Sequence, residues 1–250
     1  SAALWFRFNT AIAIMRILPV LAAGMLIFLF GILDDIIEMR ALFKLLVQLA
    51  AAGVTVAGGF RFRQVFSFIL PAPVGIALTF IWIVGIINAY NLIDGLDGLA
   101  GMLTLTALST FGFILMQSFP DGAALCFILA ASIAGFLVFN WPPAKIFMGD
   151  GGSQFLGFMT AVIPLLSSST HIEYDKFMIM LVLVSFPMLD TIAAIWRRLR
   201  DHYSIMSPDR LHLHHKLLNL GLNKKQVLYM IAIMQLILCA AVYLSSLTSK

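Results

Sequence analysis

The sequence predicts an all-α protein, a polytopic membrane bundle of about eight transmembrane helices, on three observations. Of its 250 residues, 61% are hydrophobic and only 11% are charged, with a mean hydropathy of +0.99. A single soluble core cannot hide that much apolar surface, so the excess must face lipid. Apolar runs also recur along the whole chain at lengths suited to crossing a bilayer. Finally, those runs do not alternate apolar with polar residues, as the ~10-residue strands of a membrane β-barrel would.

The runs fall at about 14–33, 45–59, 73–89, 99–116, 122–139, 154–169, 177–196 and 227–247. The second and sixth are short for a hydrocarbon core of ~30 Å. Gly53, Gly58 and Gly59 weaken the second, and Pro164 interrupts the sixth. Residues 1–250 then form a single integral-membrane domain with no soluble part. Cys126 and Cys239 both lie in apolar runs and suggest buried or lipid-facing thiols rather than a disulfide. No signal-peptide pattern opens the chain, and a start at Ser1 instead of methionine suggests processing or a fragment.

Counting spans gives the most informative result. With eight helices, alternate connections share a side, and four of them hold the polar clusters: 34–44, 88–98, 140–153 and 197–226. That side carries ten Lys and Arg residues against six at most on the other, which favours it as cytoplasmic under the positive-inside rule.

Four constellations sit there. In "GILDDIIEMR", Asp34 and Asp35 end an apolar run, which suits either a solvated acidic helix end or carboxylates placed to meet lipid headgroups; as neighbours on a helix they point ~100° apart. In "NAYNLIDGLDGLAG", Asp94 and Asp97 have the spacing of one helical face, and Asn88 and Asn91 add neutral oxygens suited to a polar ligand or a hard cation. The bland alternative is a turn, since Asn, Asp and Gly are ordinary turn residues. In "FNWPPAKIFMGDGGSQFLG", glycines flank Asp150 and let backbone amides approach an anion, although the Gly-Lys-Ser/Thr ending of a P-loop is missing. Asn140 and Phe147 lie just upstream; Phe147 suits either stacking or plain packing. In "SPDRLHLHHKL", Arg210, His212, His214 and His215 suit either holding phosphate oxygens or a plain solvated basic loop, whereas the spacing of a zinc site is absent. Asp190, inside the seventh run, is expected to form a structural ion pair, with Arg197 or across to a neighbouring helix. Carboxylates and asparagine oxygens for Mg²⁺, with a cationic loop for phosphates, suggest phosphoryl chemistry at the membrane edge.

"FGILDD", "NAYNLIDGLDGLAG", "FMGDGGSQFLGF" and "SPDRLHLHH" resemble, in this order, the motifs of the polyprenyl-phosphate N-acetylhexosamine-1-phosphate transferases of glycosyltransferase family 4. The histidine motif is most similar to the branch acting on UDP-N-acetylglucosamine and related UDP-sugars. The resemblance implies transfer of N-acetylhexosamine-1-phosphate from a UDP-N-acetyl sugar to undecaprenyl phosphate, with release of UMP. This would be the first membrane step of a surface glycan such as O-antigen, in a bacterial inner membrane with the site facing the cytoplasm. It further implies Mg²⁺ (or Mn²⁺) at Asp150, with Asn91 as a second ligand. Asp34 and Asp35 would lie near the lipid phosphate, and Asp94, Asn140 and Phe147 against the nucleotide. Asp97 would support the site, with Asn88 on its approach, and Arg210, His212, His214 and His215 would hold the sugar diphosphate. Beyond the bilayer, the donor and the acceptor lipid, a homodimer is a candidate assembly and no nucleic acid is expected. The family has ten or eleven spans, so this chain is expected to be an N-terminally truncated form of that fold. Rivals from other classes are a multispan transporter and a non-catalytic membrane scaffold. A transporter would place its site near the bilayer midplane on broken helices, and a scaffold would leave the acidic residues without a shared role.

Overall fold

Lipid offers no hydrogen-bond partners to backbone N–H and C=O groups, so a chain crossing it must satisfy them within helices. In the computed structural model the backbone is described for residues 2–66, 68–167, 170–203 and 212–248, and the side chains for 17–66, 68–167, 176–203 and 212–247. The elements are α1 (Ala2–Ile37), α2 (Ala41–Ala57), β1 (Gln64–Val65), β2 (Phe68–Ile69), α3 (Ala72–Ile93), α4 (Leu99–Leu115), α5 (Pro120–Asn140), α6 (Gly149–Leu166), α7 (Thr170–Leu183), α8 (Ser185–Arg200), α9 (Leu213–Asn219) and α10 (Lys224–Thr248).

Local chemistry sets several of the boundaries. Pro120 opens α5 and Pro73 sits in the first turn of α3, where a missing N–H removes no helical bond. At α10 the Asn223 side chain accepts from Gln226 N–H while the Gln226 side chain accepts from Asn223 N–H, both at 2.9 Å, a reciprocal cap. The helix ends reach further than the apolar runs suggested. Asp34 and Asp35 lie on the last turn of α1, and Asn88 and Asn91 on the last turns of α3, so the connections there are short turns.

Four helical segments among the described residues are long and apolar enough to cross a membrane: 17–37, 72–93, 120–140 and 224–247. Only 33% to 39% of the residues in their apolar windows are buried, which leaves most of their hydrocarbon for lipid. The shorter apolar helices are α2 and α4. By contrast, α6 is buried along nearly its whole length, enclosed chiefly by α1 and α3. Around it Ile83, Ile87, Tyr90, Leu103, Phe158 and Ile163 form the centre of the core.

Two features differ from the sequence expectation. The seventh run is not one straight helix: α7 and α8 meet at Val184 with a bend of 73°. Pro187 has no N–H for the Leu183 carbonyl one turn back, and its ring crowds that oxygen. Gln235 of α10, itself fully buried, donates to the freed carbonyl at 2.9 Å. At the end of the bundle opposite the acidic residues, β1 and β2 pair as a short antiparallel hairpin with Gln64 facing Ile69. Two-residue strands are too short for periodicity to signal.

The crossing of α1 and α6 positions the rest. A β-carbon on Gly31 would press on the Gly151 Cα and lie 2.7 Å from its nitrogen, so the two backbones touch. Small residues allow such contact where lipid supplies no hydrophobic drive between helices. Gly31→Ala is therefore expected to cost about 1–3 kcal/mol through overpacking, read as a lowered thermal-unfolding midpoint of the detergent-solubilised protein. Gly85→Ala, on the open side of α3 with nothing within 4 Å of the new methyl, serves as the neutral control.

Candidate functional site

Because α1 and α6 touch, the carboxylates at their ends converge. Asp34 is nearly fully buried, and its Oδ1 accepts from Met39 N–H at 2.7 Å, which closes the turn between α1 and α2. Lys44, on the first turn of α2, places its ammonium between two acids: 2.5 Å from Asp34 Oδ2 and 2.9 Å from Asp150 Oδ2. Two carboxylates this close, one of them buried, need a cation between them.

Asp35 turns the other way. Its Oδ1 accepts from Asp150 N–H at 2.7 Å and its Oδ2 from Gly151 N–H at 3.3 Å. The first N–H groups of a helix have no partner within it, so Asp35 caps α6 from a different helix. Gly149, at φ +67, makes room: a β-carbon there would lie 2.5 Å from Asp35 Oδ2. Asn91 of α3 completes this cluster, donating to Asp150 Oδ1 and Ser153 Oγ, each at 3.1 Å. Below it Gln48, Asn88 and Gln154 form an amide network. Asn88 donates to Gln48 Oε1 at 2.7 Å, and Gln48 donates to Gln154 Oε1 at 3.1 Å. Asn88 is thus committed to helix packing between α2 and α3.

A second cluster forms at the turn between α3 and α4. Asn140 accepts from Gly98 N–H at 2.9 Å and donates to the Ile146 carbonyl at 2.8 Å, tying that turn to the segment before α6. Asp97 faces Lys224 at 3.5 Å and accepts weakly from Ala144 N–H at 3.4 Å. Phe147 is 77% exposed, so its ring packs little against the protein. Among the described residues Asp94 has no hydrogen-bond or ion-pair partner. Burial, with the nearby Asp150 and Asp97 charges adding, pushes its carboxyl up to about 7.

The third cluster is the start of α9. His212 Nδ1 lies 2.8 Å from Asp190 Oδ2, so the partner of Asp190 is His212 of the histidine segment and not Arg197. His214 is buried, with neither ring nitrogen bonded among the described residues. Burial first, then the neighbouring imidazoles His215 and His212, lowers its pKa to about 4, so it is neutral near pH 7. It rests on Gly95, where a β-carbon would meet His214 Nε2 at 2.6 Å. His215 is half-buried beside it, and Arg210 lies outside the described residues.

The three clusters adjoin at one end of the bundle. Asp94 feels the charge of Asp150, and Gly95 carries His214. Among the described residues no three of His, Cys, Asp and Glu are grouped as a ready metal site. A hard cation replacing the Lys44 ammonium would still meet the Asp34 and Asp150 oxygens, and Asn91 can present its carbonyl by an amide turn. Sequence reasoning counted Lys44 only toward the charge balance. Its signal was available: a lysine four residues before Gln48 inside "ALFKLLVQLAAA" is an ionisable group in a lipid-facing helix.

Comparison with known proteins adds an independent finding. The family model described as glycosyl transferase family 4 matches residues 17–168. The chain is 36% identical over 229 residues to a probable undecaprenyl-phosphate N-acetylglucosaminyl 1-phosphate transferase of Bacillus subtilis, covering 86% of this chain and 63% of that protein. It is 36% identical over 240 residues to a decaprenyl-phosphate N-acetylglucosaminephosphotransferase of Mycobacterium leprae, covering 85% and 60%. To the undecaprenyl-phosphate alpha-N-acetylglucosaminyl 1-phosphate transferase of Escherichia coli K12 it is 30% identical over 222 residues, covering 84% and 60%. The chain therefore spans about 60% of the length of these relatives.

The raised Asp94 carboxyl gives a test with a definite sign. The folded protein holds a proton that an ordinary carboxyl, near 3.8, releases on unfolding. The resulting stabilisation is complete below about pH 4 and is lost as pH rises through about 7. Asp94→Asn, neutral throughout, is expected to flatten the decline in unfolding midpoint between about pH 4 and about pH 7. Equal slopes in the two proteins would count against the shift.

Proposed function

The chain belongs to glycosyl transferase family 4, and from that premise we propose that it transfers N-acetylhexosamine-1-phosphate from a UDP-N-acetyl sugar to undecaprenyl phosphate. Its matched relatives bear names specifying N-acetylglucosamine, which favours UDP-N-acetylglucosamine as donor. The observation that carries the reading is the convergence of Asp34, Lys44, Asn91 and Asp150 at the ends of four helices, beside an uncommitted Asp94. Such a site suits two phosphorylated reactants, one of them anchored in the bilayer.

In the reaction an oxygen of the lipid phosphate attacks the phosphorus attached to the sugar. The bond from that phosphorus to the bridging oxygen breaks, and UMP departs with the electron pair. A phosphate monoester has a second pKa near 6, so the nucleophile is largely ionised at pH 7 and needs placing more than deprotonating. Two anions must approach each other, and Lys44, the ammonium that bridges Asp34 and Asp150, offsets part of that repulsion. Asp150 and Asn91 would hold Mg²⁺ or Mn²⁺, which when bound supplies charge neutralisation for the diphosphate and the leaving UMP. Asp35 keeps the α6 terminus, and with it Asp150, in place. Asp94 and the exposed Phe147 are suited to the nucleotide, Phe147 by stacking on the flat base. His212, His215 and Arg210 supply donors for the sugar diphosphate, whereas the neutral, enclosed His214 packs the segment against Gly95.

In this reading α7 and α8 count as one broken span and the shorter α2, α4 and α6 as three more, giving eight. The charge asymmetry then turns the acidic end toward the cytoplasm.

Membranes containing the protein are incubated with labelled UDP-N-acetylglucosamine, undecaprenyl phosphate and Mg²⁺. Lipid-linked label with release of UMP is expected, and a panel of UDP-sugars ranks the donors. Asp150→Asn is expected to reduce transfer at least ~1000-fold while still inserting, the loss of several kcal/mol of charge stabilisation at the reacting phosphates. Near-normal turnover in that variant refutes the assignment of Asp150. Label trapped inside vesicles without UMP release would favour transport instead.

A further inference from the structure

The histidine segment is held in place by a carboxylate that belongs to another helix. Asp190 lies on α8, just past the break at Val184, and commits both of its oxygens to this segment. Oδ2 lies 2.8 Å from His212 Nδ1, and Oδ1 accepts from Leu213 N–H at 2.8 Å. Asp190 and His212 are 7% and 5% exposed, so little water competes for the contact. An ionised carboxylate can only accept, which puts a proton on Nδ1 and leaves Nε2 for another partner. The His212 ring lies parallel to that of His214, 3° between planes and 5.9 Å between centroids. His214 in turn fills the space that Gly95 leaves. A continuous line of contacts thus runs from the bent helix to the turn carrying Asp94.

The choice of residue is informative. A neutral acceptor such as asparagine would satisfy the Leu213 N–H without the desolvation that burying a carboxylate costs. The negative charge strengthens the hydrogen bond from Nδ1–H of His212 and fixes the proton on that nitrogen. A phosphate oxygen accepts, so an Nε2 that meets it must donate. With Nδ1 also protonated, the ring in the complex is an imidazolium, and the Asp190 carboxylate is its counter-charge.

We propose that Asp190 is a positioning residue for the transfer reaction, fixing the direction and Nδ1 proton of His212 so that Nε2 meets a phosphate oxygen of the sugar diphosphate. The proposal rests on the transferase reading given above. Asp190 itself touches no reactant; it acts through the ring.

The experiment uses the membrane-inserted protein with ¹⁵N-labelled histidine, the His212 signals being assigned by their loss in His212→Asn. In D190N the side-chain oxygen keeps the Leu213 N–H and the amide nitrogen faces the ring. His212 Nδ1 should then change from the protonated to the unprotonated signature. D190E keeps an ionised acceptor, so it should retain the protonated signature and more activity than D190N; it also serves if D190N fails to fold. In the transfer assay D190N should lower kcat/KM for the UDP-sugar about 10- to 100-fold, the scale that loss of the carboxylate partner of a metal-bound histidine produces. The D190N/H212N double variant should be no slower than H212N alone. Unchanged His212 nitrogen signals in D190N overturn the proposal whatever the activity. Multiplying losses in the double variant also overturn it, because Asp190 would then act elsewhere. Absence of transfer by the unaltered protein would instead sink the functional reading, with the nitrogen spectra still deciding whether Asp190 sets the ring.

Discussion

The arrangement depends on one close approach, the backbone contact of α1 with α6 at Gly31 and Gly151. Three and four residues further along α1 stand Asp34 and Asp35, and one residue before Gly151 stands Asp150. A larger side chain at the crossing would press the two backbones apart and strain the hydrogen bonds that depend on their contact. Asp35 would then lose the N–H groups at the head of α6, and Lys44 would no longer reach both Asp34 and Asp150. Two glycines thus fix the spacing of three carboxylates.

That spacing creates an electrostatic problem, and the surroundings resolve it in layers. Asp34 and Asp150 share the Lys44 ammonium, Asp35 takes two backbone N–H groups, and Asn91 donates to Asp150. One helical turn deeper the polar groups are uncharged, with Gln48, Asn88 and Gln154 bonded to one another. Charge is thereby confined to the end of the bundle, where desolvation is least costly, and neutral amides seal the interior below. Asp94, with no partner among the described residues, keeps its proton to near-neutral pH. A free carboxyl of this kind is able to respond to a ligand, whereas its neighbours are already bonded.

Much of this was legible in the sequence. The apolar runs located most of the helices, and the motifs around Asp34, Asn91, Asp94, Asp150 and His212 do meet at one end of the bundle. The side-chain pairings were not legible. Asn88 and Asn140 looked like free ligands because sequence shows which groups a residue carries, but not which are already bonded. Lys44 was hidden by its role in the charge count, and the partner of Asp190 lay 22 residues away, where no spacing rule reaches. The bend at Val184 was missed for a related reason. Pro187 marks a weakened helix, but only the neighbouring Gln235 shows that the break is accommodated.

That last contact has a wider consequence. A proline break with an unfilled carbonyl behaves as a loose joint, free to swing. Here the oxygen is held from the side by a glutamine on α10, which ties the elbow between α7 and α8 to the final helix. The strut that steadies the imidazole segment therefore extends to the far end of the chain, and repacking α10 would be felt at His212 although α10 contributes no acid to the cleft.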